Sequence, residues 1–231
     1  MKKNIIFLFT LLILTSQIFA LAGFGLNLNQ SLYNVDKSSS ALQVGGLEVG
    51  QIIQESFSNG YGAGGYLYID AIPFIDLDLE GSFIVSPYDF KFTNQLAEPV
   101  EEKFAWAASS FYITAKKKLF QLKIPFLAKA KLTGGLGFNS HTSMPMINQK
   151  MLESVMGGAS NLESGVLDPD LLVEYIAENT ISTKGLHLQG GIQFKVLMFD
   201  SFLFYRHIIA QDIIPDKKGF GSLNLRLGMG F

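Results

Sequence analysis

Carboxylates at two-residue spacing and a separate group of cations are the side chains of this chain that could do chemistry. The carboxylates are Asp70, Asp76, Asp78 and Glu80, and the cations are Lys129, Lys131, Lys195 and Arg226. Paired carboxylates can act as general acid and base, but nothing in the sequence marks a substrate pocket beside them. Charges removed from bulk water need partners, so we expect the two groups to face each other and form ion pairs.

The histidines give no sign of a catalytic or metal site. His141, His187 and His207 lie on separate segments without metal-ligand spacing. Ser140 and His141 are adjacent and could belong to a hydrolase or acyltransferase, but no orienting acid is identifiable. Residues 60–65 formally contain G-x-G-x-x-G, yet they precede a predicted strand and lack the phosphate-binding lysine. We therefore predict no catalytic residue, metal or cofactor, and no enzyme.

Strands must position these side chains, because apolar and polar residues alternate in segments of about ten residues, long enough to cross a bilayer when tilted. Alternation is clearest in the last segment, which stops on Phe231. The pattern predicts an all-β fold, an antiparallel up-and-down transmembrane β-barrel of about eight strands; residues 42–53 could raise the count to ten. The segments are residues 23–32, 61–71, 75–85, 104–117, 126–139, 185–196, 201–211 and 219–231.

The links between these segments alternate in length. Links after the second, fourth and sixth segments are short: residues 72–74, 118–125 and 197–200. Links after the first, third and fifth are long: residues 33–60, 86–103 and 140–184. This rhythm matches the periplasmic turns and extracellular loops of outer-membrane barrels. A soluble Greek-key sandwich is the alternative, although its strands rarely run so long.

The first 22 residues predict export. Lys2 and Lys3 precede an apolar run, and Ala20-Leu21-Ala22 supplies a cleavage site. We expect a signal peptide over residues 1–22, one barrel domain over residues 23–231, and a place in the bacterial outer membrane. Removing two of the 18 basic residues changes the formal charge from −2 to −4, which does not suggest nucleic-acid binding. The chain has no cysteine for a lipid anchor, disulfide or thiolate metal site.

Successive side chains of a strand point to opposite faces, so the parity of a residue, its odd or even position, predicts whether it lines the lumen. This sorting is ambiguous for the fourth and seventh strands. An eight-stranded barrel is only wide enough for its own interior side chains. The lumen is therefore either a polar plug that fixes strand register or a narrow, gated conduit. The predicted lumen-lining residues are Tyr66, Tyr68, Asp70, Asp76, Asp78, Glu80, Lys129, Lys131, His187, Gln189, Lys195 and Arg226.

The longest predicted loop, residues 140–184, contains two stretches with helical spacing. Asp168, Pro169 and Asp170 predict a helix start, and residues 147–156 form an earlier amphipathic stretch. The two helices either bury their apolar stripes on each other over the barrel or present a site for an apolar ligand or partner. The candidate residues are Met144, Met146, Met151, Met156, Leu172, Tyr175 and Ile176.

The leader, the alternating segments, the loop rhythm and the terminal Leu227-Gly-Met229-Gly-Phe231 resemble the small eight-stranded outer-membrane barrels of the OmpW, OmpX and OmpA-transmembrane group. The resemblance implies that Leu225, Leu227, Met229 and Phe231 form the signal read by the barrel-assembly machinery. The substantial first loop and single-domain length are most similar to the OmpW-like branch. That branch implies passage of small apolar molecules through a narrow bore.

The sequence therefore leaves two candidate functions. One is transport of a small apolar or amphipathic solute through a narrow polar lumen. The other is a structural or adhesion barrel that acts through its extracellular loops while its lumen is sealed. Expected partners are outer-membrane lipid, the assembly machinery and either a small apolar solute or a surface partner. A membrane-embedded enzyme would require a Ser/His/acid cluster at the outer rim.

Overall fold

The computed structural model of the protein describes residues 22–72, 75–94, 100–125, 128–156 and 168–231. Those residues form ten strands and two short helices, which confirms the predicted all-β class. The strands are β1 (Ala22–Val35), β2 (Ser38–Val44), β3 (Leu47–Gln54), β4 (Phe57–Ile72), β5 (Ile75–Asn94), β6 (Val100–Ile124), β7 (Ala128–Ser143), β8 (Ile181–Val196), β9 (Phe199–Ile209) and β10 (Gly219–Gly230). The helices are α1 (Gln149–Val155) and α2 (Pro169–Glu178).

The sheet closes in a ring of antiparallel neighbours. The pairing order is β2-β3-β5-β4-β1-β10-β9-β8-β7-β6, and a further β5–β6 pairing completes the circuit. Eight strands therefore make the closed barrel, while β2 and β3 form a hairpin that attaches to the outer half of β5. The sequence left the number of strands open between eight and ten. The ring has eight strands, and the β2–β3 hairpin brings the total in the described residues to ten.

The first and last ring strands join to each other. β1 pairs with β10 from Gly23 opposite Gly230 to Leu32 opposite Gly221. Inward side chains of the ring strands are largely polar or aromatic and buried, whereas outward side chains are apolar and exposed. We call the end with the link between β8 and β9 the turn end, and the end with α1 and α2 the loop end.

Two predicted links are strand instead. Residues 86–103 were expected to be a long loop, but β5 continues to Asn94 and β6 begins at Val100. Tyr88, Phe90 and Phe92 continue the alternation beyond the ring and are buried. Residues 118–125 were expected to be a short turn, but β6 pairs with β7 as far as Ile124. A β-bulge near Leu119 shifts the register there and hid the continued alternation.

Both predicted loop helices are present. Asp168 caps α2, and its side chain accepts hydrogen bonds from the backbone N–H groups of Asp170 and Leu171. Asn148 caps α1, and its side chain accepts a hydrogen bond from the backbone N–H of Met151. Within the described part of the chain, neither helix is long and apolar enough to span a bilayer. The predicted signal peptide falls outside the described residues except for Ala22.

Candidate functional site: the polar lumen

A buried network of ion pairs crosses the middle of the lumen. Glu80 of β5 accepts hydrogen bonds from both terminal nitrogens of Arg206 at 2.9 Å, and it also pairs with Arg226 of β10. Asp78 lies 2.6 Å from Arg226 Nη1 and 2.8 Å from Lys116 Nζ. All five side chains are almost completely buried. Two carboxylates thus hold three cations together at the barrel centre.

Aromatic rings surround these cations. The Arg206 guanidinium lies 3.8 Å from the ring centre of Tyr112, and that of Arg226 lies 4.7 Å from the rings of both Tyr66 and Phe204. Stacking of this kind stabilises guanidinium groups away from water. The rings also fill the space between the charges, so the network is packed as well as paired.

A second polar layer lies nearer the turn end. Lys131 Nζ is 2.9 Å from Asp70 Oδ2, and Lys195 Nζ is 3.8 Å from Asp200 Oδ2. Tyr68 donates a hydrogen bond to Asp200, and Gln193 donates another at 2.8 Å. The predicted lumen residues Asp76 and Lys129 are half-buried and form no ion pair with any described residue.

Histidines lie between the ion network and the loop end. His187 is hydrogen-bonded to Thr114 at 2.8 Å, and His141 to Ser110 at 2.8 Å. Tyr112 packs edge-on against both imidazole rings. The predicted lumen residue Gln189 accepts a hydrogen bond from Arg206 Nε at 3.0 Å.

The suspected Ser140/His141 pair does not form. His141 is buried against Ser110 of the neighbouring strand. The described residues contain no cluster of three or more side chains that could hold a metal.

An apolar layer roofs the lumen at the loop end. Tyr33 packs edge-on against both Trp106 and Phe220, and the side chains of α1 cover this group. The predicted ligand candidates Met151 and Met156 are buried in the layer. Met146, Leu172 and Tyr175 pack against it, and Met144 and Ile176 are half-buried. The methionine-rich stripe therefore serves mainly as internal packing.

A small cavity lies beside the ion network in the described part of the barrel. This cavity, lined in part by Asp78, Lys116, Gln189 and Arg226, has a volume of about 10 Å³. That is about the minimum required for one water molecule. The charged wall is therefore occupied by the chain's own side chains.

The terminal strand fits this interior through its glycines. Leu225 and Leu227 point outward and are exposed, as is Phe231, whereas Met229 is half-buried. A Cβ atom at Gly228 would meet the Tyr66 hydroxyl, and one at Gly230 would meet the Tyr68 hydroxyl. The inward glycines thus make room for two tyrosines of β4.

A small sheet stands above the barrel at the loop end. It consists of β2, β3, the outer part of β5 and the outer part of β6, and we call it the outer sheet. One face buries Leu42, Ile52 and Phe90 against the apolar roof. Gln149 of α1 forms two hydrogen bonds with the backbone of Gln43, at 3.1 and 2.7 Å, and so covers part of the β2 edge.

The opposite face of the outer sheet is polar and open. It borders a groove of about 390 Å³ lined by Glu55, Asp89, Lys91, Glu101, Glu102 and Lys103, and in part by Phe90, which also belongs to the apolar cluster of the roof. Lys91 lies 2.6 Å from Glu101, whose carboxylate raises the pKa of the lysine through a hydrogen bond and its charge.

Several central residues were absent from the predicted set. They are Arg206, Lys116, Asp200 and Tyr112, whereas Asn27, which donates to Glu80 at 3.1 Å, lies at an inward position by the alternation of its strand. Arg206, Lys116 and Tyr112 lie on β6 and β9, the two strands whose parity was ambiguous, and Asp200 lay in the predicted link of residues 197–200. Phe202 and Phe204 point inward and Tyr205 outward, so aromatic character did not distinguish the faces. A rule that places arginine on the polar face would have found Arg206, but no such rule finds Lys116, because Lys116 and Lys117 are adjacent and have opposite parity.

Comparisons with known proteins give distant structural likenesses and no family. No protein-family model matches the chain, and no curated protein matches it. A solved structure of Ail from Yersinia pestis, in complex with the heparin analogue sucrose octasulfate, is 14% identical, with a TM-score of 0.43 over 92% of this chain and 99% of that one. The N-terminal β-barrel domain of Pseudomonas aeruginosa OprF is 8% identical, with a TM-score of 0.41 over 90% and 99%.

The Escherichia coli outer-membrane protease OmpT is a weaker neighbour, 10% identical with a TM-score of 0.29 over 91% of this chain and 93% of that one. These structural neighbours are outer-membrane barrels, and all of them are distant. None of them assigns an activity, and the OmpW-like branch stays a prediction.

Proposed function

We propose that this protein is a bacterial outer-membrane barrel with a closed lumen, which acts through the structure at its loop end. The observation that carries the proposal is the inverted distribution of its side chains. Charged and polar groups fill the interior, while leucine and phenylalanine cover the exterior of the ring.

The exterior supports a place in lipid. Outward residues such as Leu26, Leu136, Phe138 and Leu203 are well exposed. Soluble proteins rarely expose contiguous apolar patches of more than a few hundred Å². A transmembrane barrel requires such a band, because alternate residues of every strand face hydrocarbon. Short turns at one end and long connections at the other support a periplasmic turn end and an extracellular loop end.

The interior supports a structural role for the lumen residues. Glu80 and Asp78 form ion pairs with all three buried cations, and an apolar roof covers them. A solute moving along the axis would have to displace this buried network and the roof above it. Transport is therefore the weaker of the two candidate functions.

The outer sheet supports an interaction role. It projects beyond the ring, and one face is committed to the roof while the other presents mixed charges around the groove at Glu55 and Glu101. Such a rigid, exposed platform suits contact with another surface or an envelope partner. We further expect Leu225, Leu227, Met229 and Phe231 to be read by the assembly machinery.

Planar-bilayer conductance tests the closed lumen. Refolded protein whose insertion has been verified by protease protection is expected to give no reproducible single-channel steps. If the wild type gives single-channel steps and their conductance changes in Lys131→Gln, a path along the lumen exists and the proposal is overturned. The matched variant Lys184→Gln lies at the exposed loop end and should change nothing.

Surface adhesion tests the outer sheet. Cells displaying the wild type are expected to bind host-cell or neighbouring-cell surfaces more strongly than cells displaying a variant in which residues 38–54 are replaced by a short glycine-serine link. Equal display is verified by labelling a tag in the last loop. Equal binding by both proteins would remove the outer sheet from the proposed function.

A further inference from the structure

The hairpin of β6 and β7 has an open edge at the turn end. β5 pairs with β6 only as far as Asp76 opposite Lys116, whereas β6 continues against β7 to Ile124 opposite Ala128. Residues 117–124 therefore have a strand partner on one side only within the described chain. At a rise of about 3.3 Å per residue, this edge runs roughly 26 Å along the strand. We call residues 117–124 and 128–131 the basic ribbon.

The outer face of the basic ribbon is apolar. Leu119, Phe120, Leu122 and Ile124 are between 58% and 64% exposed. Phe120 lies opposite Leu132, an exposed outward residue of β7, so this face continues the apolar exterior of the barrel. Contact with lipid along the ring would therefore extend onto the ribbon.

The same segment is rich in lysine. Residues 115–137 contain six lysines and no aspartate or glutamate. Two of the six have partners in the lumen: Lys116 pairs with Asp78 and Lys131 with Asp70. The other four, Lys117, Lys118, Lys123 and Lys129, form no ion pair with any described residue.

Three lysines also crowd one another across neighbouring strands. Lys123 is opposite Lys129, and Lys129 is opposite Lys195, so the three share one face in adjacent register positions. Like charges directly opposite each other destabilise a sheet. Of these three, Lys195 has a carboxylate nearby, that of Asp200 at 3.8 Å. An external anion would relieve the remaining repulsion.

We propose that the basic ribbon binds anionic phospholipid headgroups of the periplasmic leaflet. The apolar face enters the edge of the hydrocarbon, and Lys117 lies on that same face. Lys118, Lys123 and Lys129 lie on the opposite face of the ribbon and extend past its open edge to the headgroup phosphates. Lysine stems cover apolar surface while their ammonium groups stay among polar groups. Apolar side chains combined with clustered lysines favour anionic lipid surfaces. This inference rests on the proposed place of the protein in a membrane.

Lipid selectivity of the whole mature protein tests the proposal. The protein is refolded into phosphatidylcholine vesicles that contain a minor fraction of phosphatidylglycerol. Spin-labelled phosphatidylglycerol and phosphatidylcholine then report which lipid contacts the barrel. We expect a preference for phosphatidylglycerol over phosphatidylcholine of about fivefold or more, because a single lysine near an anionic lipid surface already produces a preference of about that size. The preference should weaken as salt is added, because salt screens exposed charges.

Two variants with equal charge changes separate the ribbon from net charge. The first changes Lys117, Lys118, Lys123 and Lys129 to glutamine and is expected to reduce the preference to less than twofold. The second changes four loop-end lysines without ion pairs, Lys103, Lys150, Lys184 and Lys218, and is expected to retain it.

Three results would overturn the inference. They are no preference in the inserted wild type, an unchanged preference in the ribbon variant, and an equal loss in both variants. Failure of the wild type to insert into vesicles, judged by flotation and protease protection, would overturn the proposed membrane location as well. Insertion without lipid selectivity would overturn the lipid site alone.

Discussion

Glu80 and Arg206 form a two-pronged ion pair across the full width of the barrel. Both terminal nitrogens of the guanidinium lie 2.9 Å from the carboxylate oxygens. Their strands, β5 and β9, are four places apart in a ring of eight and so stand opposite each other. The pair therefore joins opposite walls, whereas the hydrogen bonds of the sheet join only neighbours. Arg226 binds the same carboxylate from a third strand.

Glu80→Gln is expected to destabilise the barrel strongly. Removing one partner of a buried ion pair costs about 3–5 kcal/mol, because it leaves an uncompensated charge, and here two guanidiniums lose a shared partner. The urea midpoint of the refolded protein, followed by the fluorescence of the single tryptophan Trp106, measures the change. Glu55→Gln is the matched control, because it removes an exposed pair with Lys37 and should cost about 1 kcal/mol or less. Equal shifts in the two variants would contradict a structural role for the network.

Leu26→Arg and Leu47→Arg are expected to differ sharply despite equal exposure. Leu26 is 71% exposed on the ring and Leu47 is 73% exposed on the outer sheet. A charged side chain on the lipid face of a barrel costs about 2–4 kcal/mol at the bilayer midplane, and water imposes no such cost. Unfolding of both variants in vesicles measures the difference. If the two substitutions proved equally mild, the apolar exterior would not be facing lipid.

Gly228→Ala is expected to weaken closure of the barrel. The added Cβ would meet the Phe24 carbonyl and the Tyr66 hydroxyl, and overpacking of this kind costs about 1–3 kcal/mol. Gly81→Ala serves as the control, because a Cβ there meets nothing within 4 Å. The fraction of protein that migrates as the folded, heat-modifiable form measures closure. Normal closure in Gly228→Ala would show that β1 and β10 can separate enough to accept the methyl group.

Gln149→Ala is expected to expose the edge of β2 without unfolding the ring. The glutamine side chain satisfies both backbone groups of Gln43, so its loss leaves that edge open to water. Limited proteolysis should then cut within residues 38–54 several times faster. Lys150→Ala, one position along the same helix and exposed, should leave the rate unchanged. An unaltered rate in both variants would show that β3 alone holds the edge in place.

Local patterns were sufficient for much of the architecture and less so for the site. Alternation predicted the ring strands, and the Asp168-Pro169 start predicted α2, because each depends on neighbouring residues alone. The inward positions of Asp78 and Arg226 follow from the same parity. Parity did not identify Arg206 or Lys116, since aromatic residues occur on both faces of β9 and β6. It also did not show that Met151 packs inside, because a helical apolar stripe looks the same whether it covers a barrel or binds a ligand.

The sequence by itself determined the period-two strands, the polar interior and the helix starts, since those features are encoded within a few consecutive residues. The tertiary structure decided which charges meet. The pairing of Glu80 with Arg206 and Arg226 depends on ring closure and stagger, which bring residues more than a hundred positions apart to the same level. It also decided which side chains fill the barrel centre, because their volumes must be summed over all eight strands.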